Sequence, residues 1–484
     1  VMTTGVKNTI VGSQALDAGT IGSFNTALGY QALTTEEDGD YSTAVGWGAL
    51  ATQESDEANQ AIYNTAVGAR AGLALTTGIQ NTLIGGKAGG TGDITGDLNT
   101  GVGFQTLYAL TSGIQNVAIG SSALFTNTTS NYQTAVGYDA LYSSITTAVD
   151  ADAYNTAVGY KAMRLNTTGI RNTAVGALCF DSNVTGHYNT ALGMQALQSE
   201  EDGDYSVAVG YQALYTQNSD SAGQDTLNTA VGAQAGANLT TAIKNTLIGS
   251  QAGGGATLTG DNNVAVGYEA GKATTSGGNN TAVGSYAGDA ISSAADNTAV
   301  GYAALSTCAT GIRNTAIGRY ALNAHTGNDG TAVGYGALEL ATGAGNTSVG
   351  KGAGRLIVGG ANNTMLGHMA GDALTTGSNN IMIGYQPEVS AVDAANQIVI
   401  GDDISSGGDN TFRFGKASNV VTNTFTSDAN WAQASDERLK TNINAAPLGL
   451  DFVNDLRPVT YQWKASQDLD SSDTQLEKLY NPDE

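Results

Sequence analysis

The sequence predicts an all-β fold: a repetitive parallel β-roll or β-solenoid of about 17 residues per coil and about 23 coils, stacked into a fibre. A recurring motif, a strict alternation of large and small slots, and the placement of proline all point to it. The motif is typified by Asn25 to Leu33, Asn-Thr-Ala-Leu-Gly-Tyr-Gln-Ala-Leu. Its glycine, taken as position 0, returns from Gly12, Gly29 and Gly46 through to Gly384 and Gly401, 23 copies in all. Most intervals are 17 residues, and three are 22 (Gly46 to Gly68, Gly137 to Gly159, Gly210 to Gly232). A unit this short cannot bury a core alone and needs its neighbours.

The slots of the motif assign its faces. Position −1 is aliphatic (Val11, Leu28, Ile84) and position −3 is β-branched (Thr9, Val117, Ile398), so both lie on one face of a strand. Position −2 is usually Ala and the glycine has no side chain, so another layer can approach the opposite face closely. Position +3 is Ala in all but Thr106, Cys179, Pro387 and Ile404, and the next residue is mostly Leu or Gly, which reads as the inside corner of a narrow coil. Asn stands at −4 in 18 of the 23 copies, where it supplies left-handed backbone and, repeated in register, an amide ladder. All four prolines fall after residue 386, so the repeats hold almost none to interrupt a ladder. These slots predict two short strands per coil. One such chain is thin and leaves an apolar or small-residue seam to cover, so the expected assembly is a homotrimer. With 22 steps of about 4.8 Å the rod is on the order of 105 Å long.

Composition narrows the partners. The formal net charge of −24 repels phosphate backbones and anionic lipid surfaces, which argues against nucleic acid. No run of 18 or more apolar residues predicts a membrane helix, so membrane insertion is not expected. The stretch from Met2 to Thr9 aligns with Leu75 to Thr82, so the sequence opens in mid-repeat and a preceding part is expected. Gln31 to Gly46 returns as Gln195 to Gly210, an offset of 164 that repeats at the neighbouring motif glycines. A duplicated block of about nine coils suits a shaft that lengthens by copying better than a site needing one arrangement.

Several residues invite chemical readings. Cys179 takes the corner slot and reads as a small core residue, whereas Cys308 falls in a turn and reads as an exposed or half-buried thiol. His187, His325 and His368 lack ligand spacing and read as surface or turn histidines. The acidic runs around Asp38, Asp40, Asp202 and Asp204 are weak metal candidates, because calcium sites are built from clustered carboxylates. They lack the spacing of a calcium loop, and a solvated charged turn is the plainer reading. Aromatics follow the glycine in ten copies, among them Tyr30, Trp47, Tyr302 and Tyr335, and fit either a sugar-gripping row or stacking between coils and chains. No cofactor is expected, and no unique pair of carboxylates marks the repeats as a polysaccharide-cleaving enzyme.

The periodic motif ends near residue 401, giving a repeat shaft over 1–401, a connector over 402–434 and a distinct segment over 435–484. That segment opens with Ser435-Asp436-Glu437-Arg438-Leu439-Lys440 and continues with Leu448 to Lys464, LGLDFVNDLRPVTYQWK. Over about 50 residues it resembles the start of the intramolecular chaperone domain at the C-terminus of bacteriophage tail fibres and tail spikes, a self-cleaving serine-lysine endopeptidase family. The resemblance implies a domain that helps three chains assemble a β-rich fibre and then cuts itself off at Ala434–Ser435, with Ser435 as nucleophile and Lys440 as its base. A serine hydroxyl needs such a base, and a lysine acts as one when burial or nearby positive charge lowers its pKa. Family domains continue through a further core and a helical end, whereas this sequence stops at Glu484, so a truncated domain is expected.

The repeats themselves resemble the β-roll heads of trimeric autotransporter adhesins. Together the two resemblances imply a virion tail fibre, extracellular, trimeric and without a turnover enzyme activity, that binds a host cell-surface polysaccharide or protein receptor. They also imply contact with other virion tail proteins through a preceding part, and at most a single-turnover autoproteolysis. A bacterial surface adhesin and, further off, a polysaccharide-degrading spike are the alternatives.

Overall fold

In the computed structural model, which describes residues 4–145 and 152–425, the motif becomes one rung of a parallel β-solenoid. All described residues belong to one unit of the chain, Val1–Trp431. Strands β1 (Thr9–Val11) to β22 (Ile381–Ile383) are each three residues long, and β23 (Ile398–Asp402) closes the predicted series. Each strand pairs in parallel and in register with the next, Thr9 with Thr26 and Ile10 with Ala27, then Thr26 with Thr43 and Ala27 with Ala44. The 22-residue coils keep this register, with Thr43 opposite Thr65, so their extra residues leave the ladder as a loop. Where the sequence analysis stopped, β24 (Thr411–Lys416) adds a further parallel rung, placing Gly415 opposite Gly401. β25 (Asn419–Thr424) then folds back antiparallel on it. Twenty-four parallel rungs at about 4.8 Å give a rod on the order of 110 Å.

The alternation of slots sorts inside from outside within one chain. Ala at −2 and +3 and Leu at +4 are buried in nearly every coil, for example Ala27, Ala32 and Leu33. The close approach expected on the small face is thus made by the same coil's corner. Thr at −3 and the aliphatic residue at −1 point outward and stay partly exposed.

The motif glycine is fixed by the next coil. Gly29 has φ +137°, and a Cβ there would lie 2.5 Å from the carbonyl oxygen of Gly46. Only glycine allows both that backbone and that approach.

One strand per coil is found, not two. Around Gly29, Phe24, Gln31 and Leu33 all take left-handed conformations, with φ between 57° and 62°, and neighbouring coils repeat this at −5, +2 and +4. Such residues turn the chain and break extended pairing, so the remaining sides of each coil are turns joined by scattered single bridges such as Leu75 with Ile94.

The Asn column forms the expected ladder. Asn81 accepts from the backbone N–H of Asn99 (2.9 Å), donates its own N–H to Asn64 Oδ1 (2.7 Å), and donates from Nδ2 to Gly96 O (3.0 Å). Each amide thereby ties its coil to the coils before and after it.

A second inward column, at +7, was not visible in the sequence because it mixes polar and apolar residues. Leu110, Ile291 and Leu374 occupy it, and so do Glu36, Gln53, Asn127, Glu200 and His325, all buried. Its polar members are satisfied internally. Cys308 and His325 correct the readings above: Cys308 is buried in this column rather than exposed, and His325 bonds Ala341 O and Asn314 Oδ1, each at 3.0 Å. Burial pushes the Cys179 thiol up to about 12 and the Cys308 thiol upward, so both rest as inert core thiols.

Candidate functional site

Ser435, Lys440 and the Ala434–Ser435 bond lie outside the described residues. Each of the four acidic candidates accepts a hydrogen bond from the preceding coil. Asp38 Oδ1 accepts from Thr20 Oγ1 and Asp40 Oδ1 from the Ser23 N–H, both at 2.6 Å. In the duplicate block Asp202 accepts from Thr185 Oγ1 and Asp204 from the His187 N–H, again at 2.6 Å. These carboxylates cap turns of the preceding coil, and among the described residues no group of three or more His, Cys, Asp or Glu is assembled for a metal ion.

What the stack does assemble is rows. The outward aliphatic residues at −1 form a line of partly exposed side chains along the rod, including Val11, Leu28, Ile119, Leu192 and Leu366. No charged residue occurs in any strand from β1 to β22, although the chain carries 43 acidic residues. Aromatics form further rows: Phe24, Tyr41 and Tyr63 stack at about 5 Å, as do Tyr108, Phe125 and Tyr142. These rows stand at −5 and +5 rather than in the slot after the glycine, where Tyr138 and Tyr160 stack at 5.7 Å.

From residue 268 onward the corner just after the motif glycine becomes a herringbone of Tyr268, Tyr286, Tyr302, Tyr320 and Tyr335, whose successive centroids lie 5.5 to 6.4 Å apart with ring planes at 72° to 86°. The Arg319 guanidinium sits 4.8 Å from the Tyr320 centroid, 5.4 Å from Tyr302 and 6.0 Å from Tyr335. Beyond Tyr335 a surface hollow of about 240 Å³ opens among Tyr335, Lys351, Arg355, Leu356, Met369 and Asp372. Gly352 lines it at +2, a slot that is glycine also at Gly48 and Gly336 and carries a side chain in the other coils.

Two carboxyls meet beside this hollow. Burial, then a hydrogen bond to Asp372, raises Glu388 to about 8, so at neutral pH Glu388 keeps its proton and donates it to the Asp372 carboxylate. Glycosidase carboxyls stand roughly 5 Å or more apart so that a sugar fits between them, and a hydrogen-bonded pair leaves no such gap.

The fold and its rows define the class: a parallel β-solenoid rod whose surfaces are long repeated columns rather than one cleft. Against known families, residues 435–476 match Peptidase S74, described as the chaperone of endosialidase. No curated protein and no solved structure matches the chain.

Proposed function

We propose that this chain is the shaft of a homotrimeric bacteriophage tail fibre that binds a host cell surface, with a C-terminal domain that assists assembly and cleaves itself before Ser435. The observation that carries it is the chaperone-of-endosialidase match at 435–476, following directly on a long stack of coils. That family is associated with trimer assembly and with phage tails.

The rod supplies support of its own. A line of aliphatic side chains running the whole length of a sheet face is more apolar surface than a lone soluble chain ordinarily exposes. Three strand residues wide and on the order of 110 Å long, the face offers about 1,000 Å² per chain, the size of a stable interface. Keeping every charge out of these strands removes the repulsion that three chains of −24 would otherwise bring to the contact. Receptor binding then falls to the turns and corners outside that face. No turnover enzyme is assigned to the rod, in keeping with the closed carboxyl pair and the duplicated block.

The test follows the C-terminal domain. Expressed with that domain complete, the chain should assemble as a trimer by sedimentation and release a fragment whose first residue is Ser435. Ser435→Ala removes the attacking oxygen and Lys440→Ala leaves it protonated, so both should stay whole and still form trimers. A folded monomer would overturn the fibre, and an uncut wild type the peptidase.

A further inference from the structure

We propose that the corner centred on Tyr335 is a binding subsite for an anionic polysaccharide, its sugar ring lying on Tyr335 and its acidic group held by Arg319 and Lys351. This rests on the host-surface reading above and names the chemistry of the ligand.

The charge pattern makes this corner one of two cationic clusters in the shaft, the other being Lys161, Arg164 and Arg171. Only 12 of the 19 Lys and Arg residues lie within residues 1–401, and Arg313, Arg319, Lys351 and Arg355 fall within four successive coils. Arg313 is spent on Asp329 and Arg355 on Glu339, each at 2.7 Å. Arg319 and Lys351 have no ion pair among the described residues. Both occupy the slot after the motif glycine, with Tyr335 in the same slot on the rung between them. Two rungs separate the cations by about 10 Å, with an aromatic platform midway.

Tyr335 is presented for contact, being 47% exposed. Arg319 covers one side of its ring while the hollow lined by Gly352 opens beside it. The herringbone from Tyr268 continues the platform across four further rungs, the extended form that suits a polymer rather than a small molecule. Aromatic faces take the apolar side of a pyranose, and a guanidinium forks onto a carboxylate or sulfate.

The local carboxylates offset only part of this charge. Glu339 faces Arg355, and Asp372 with Glu388 shares one proton and keeps a single negative charge, so against Arg319, Lys351 and Arg355 the corner stays net positive. More distant acids are screened beyond about 8 Å at physiological salt. None of the residues lining the hollow belongs to a strand, so the subsite lies clear of the aliphatic face assigned to trimer contacts.

The experiment titrates the full chain with three probes: oligogalacturonate, a heparin-derived oligosaccharide and neutral maltoheptaose. Binding of either anionic probe in preference to the neutral one is expected, the carboxylated and sulfated arms telling which acid is preferred. Arg319→Ala and Lys351→Ala should each weaken it about tenfold, as loss of a charged hydrogen bond does. Tyr335→Ala should weaken it by a similar factor and Tyr335→Phe by little. Equal binding of the neutral probe, no binding of either anionic probe, or wild-type affinity in the Arg319→Ala, Lys351→Ala double variant would overturn the assignment. Adhesion of the fibre to a panel of bacteria separates the two readings. If wild type and double variant adhere alike, this subsite falls and the host-surface reading stands; if the wild type adheres to none, the host-surface reading falls.

Discussion

Gly193 shows how much depends on one absent methyl group. Its φ is +134°, and a Cβ would come within 2.5 Å of Gly210 O, the backbone of the next coil. Gly193→Ala should therefore open the stack at that rung, with hydrogen exchange accelerated in the coils on either side of residue 193 and unchanged some coils away. Glu200 is the opposite case, a charge held inside. Its Oε1 accepts from the N–H of Gly203 (2.7 Å) and the Ser219 hydroxyl (3.0 Å), and its Oε2 from Gln217 Nε2 (2.8 Å). Glu36 repeats the arrangement with Gly39, Ser55 and Gln53. Glu200→Leu strands those donors and should cost about 3 kcal/mol, read as local exchange protection lost around residues 200–219. The glycine was legible as a motif, though the carbonyl that requires it belongs to a coil 17 residues away. Glu200 was not legible, because a run of Glu, Glu, Asp, Gly, Asp reads as uniformly solvated; the structure turns its first member inward and leaves Glu201 exposed.

At the scale of the single coil, period and slots in the sequence foretold the strand, the inside corner and the Asn ladder, because each repeats in nearly every copy. The second strand was misjudged. Left-handed conformations at Gln31 and Leu33 are carried by residues with no special preference for them, imposed by the stack rather than by local propensity. The rung at β24 escaped notice because only 14 residues separate Gly401 from Gly415.

The coil between Gly384 and Gly401 also carries a pH dependence. Glu388 rises from 4.5 to about 8 in the fold, through burial and the Asp372 hydrogen bond, and its Oε2 accepts from the Ala373 N–H at 3.3 Å. A raised pKa means that the folded state binds the proton more tightly. The stabilisation is therefore complete below about pH 4.5, declines as pH rises, and is gone above about pH 8. Amide exchange in residues 385–405 should accelerate between pH 5 and 9 beyond its intrinsic rate. Glu388→Gln, which keeps a donor without the charge, should flatten that response; an unchanged profile would refute it.

For the whole molecule, rungs that contact only their neighbours make stability a sum over coils and their interfaces, so damage stays local and length costs little. The direction of the ladder bonds has a mechanical result. Because every backbone bond between coils runs along the rod, a pull on the two ends loads these bonds one after another instead of all together. A single chain held in optical tweezers should therefore peel coil by coil at low force, each event releasing about 50 Å of contour, the length of some 17 extended residues less one rung. Under compression the same rungs bear on one another through their full cross-section. Such a rod is suited to pushing against a surface, and in the proposed trimer its resistance to being stretched would come from the chains lying alongside.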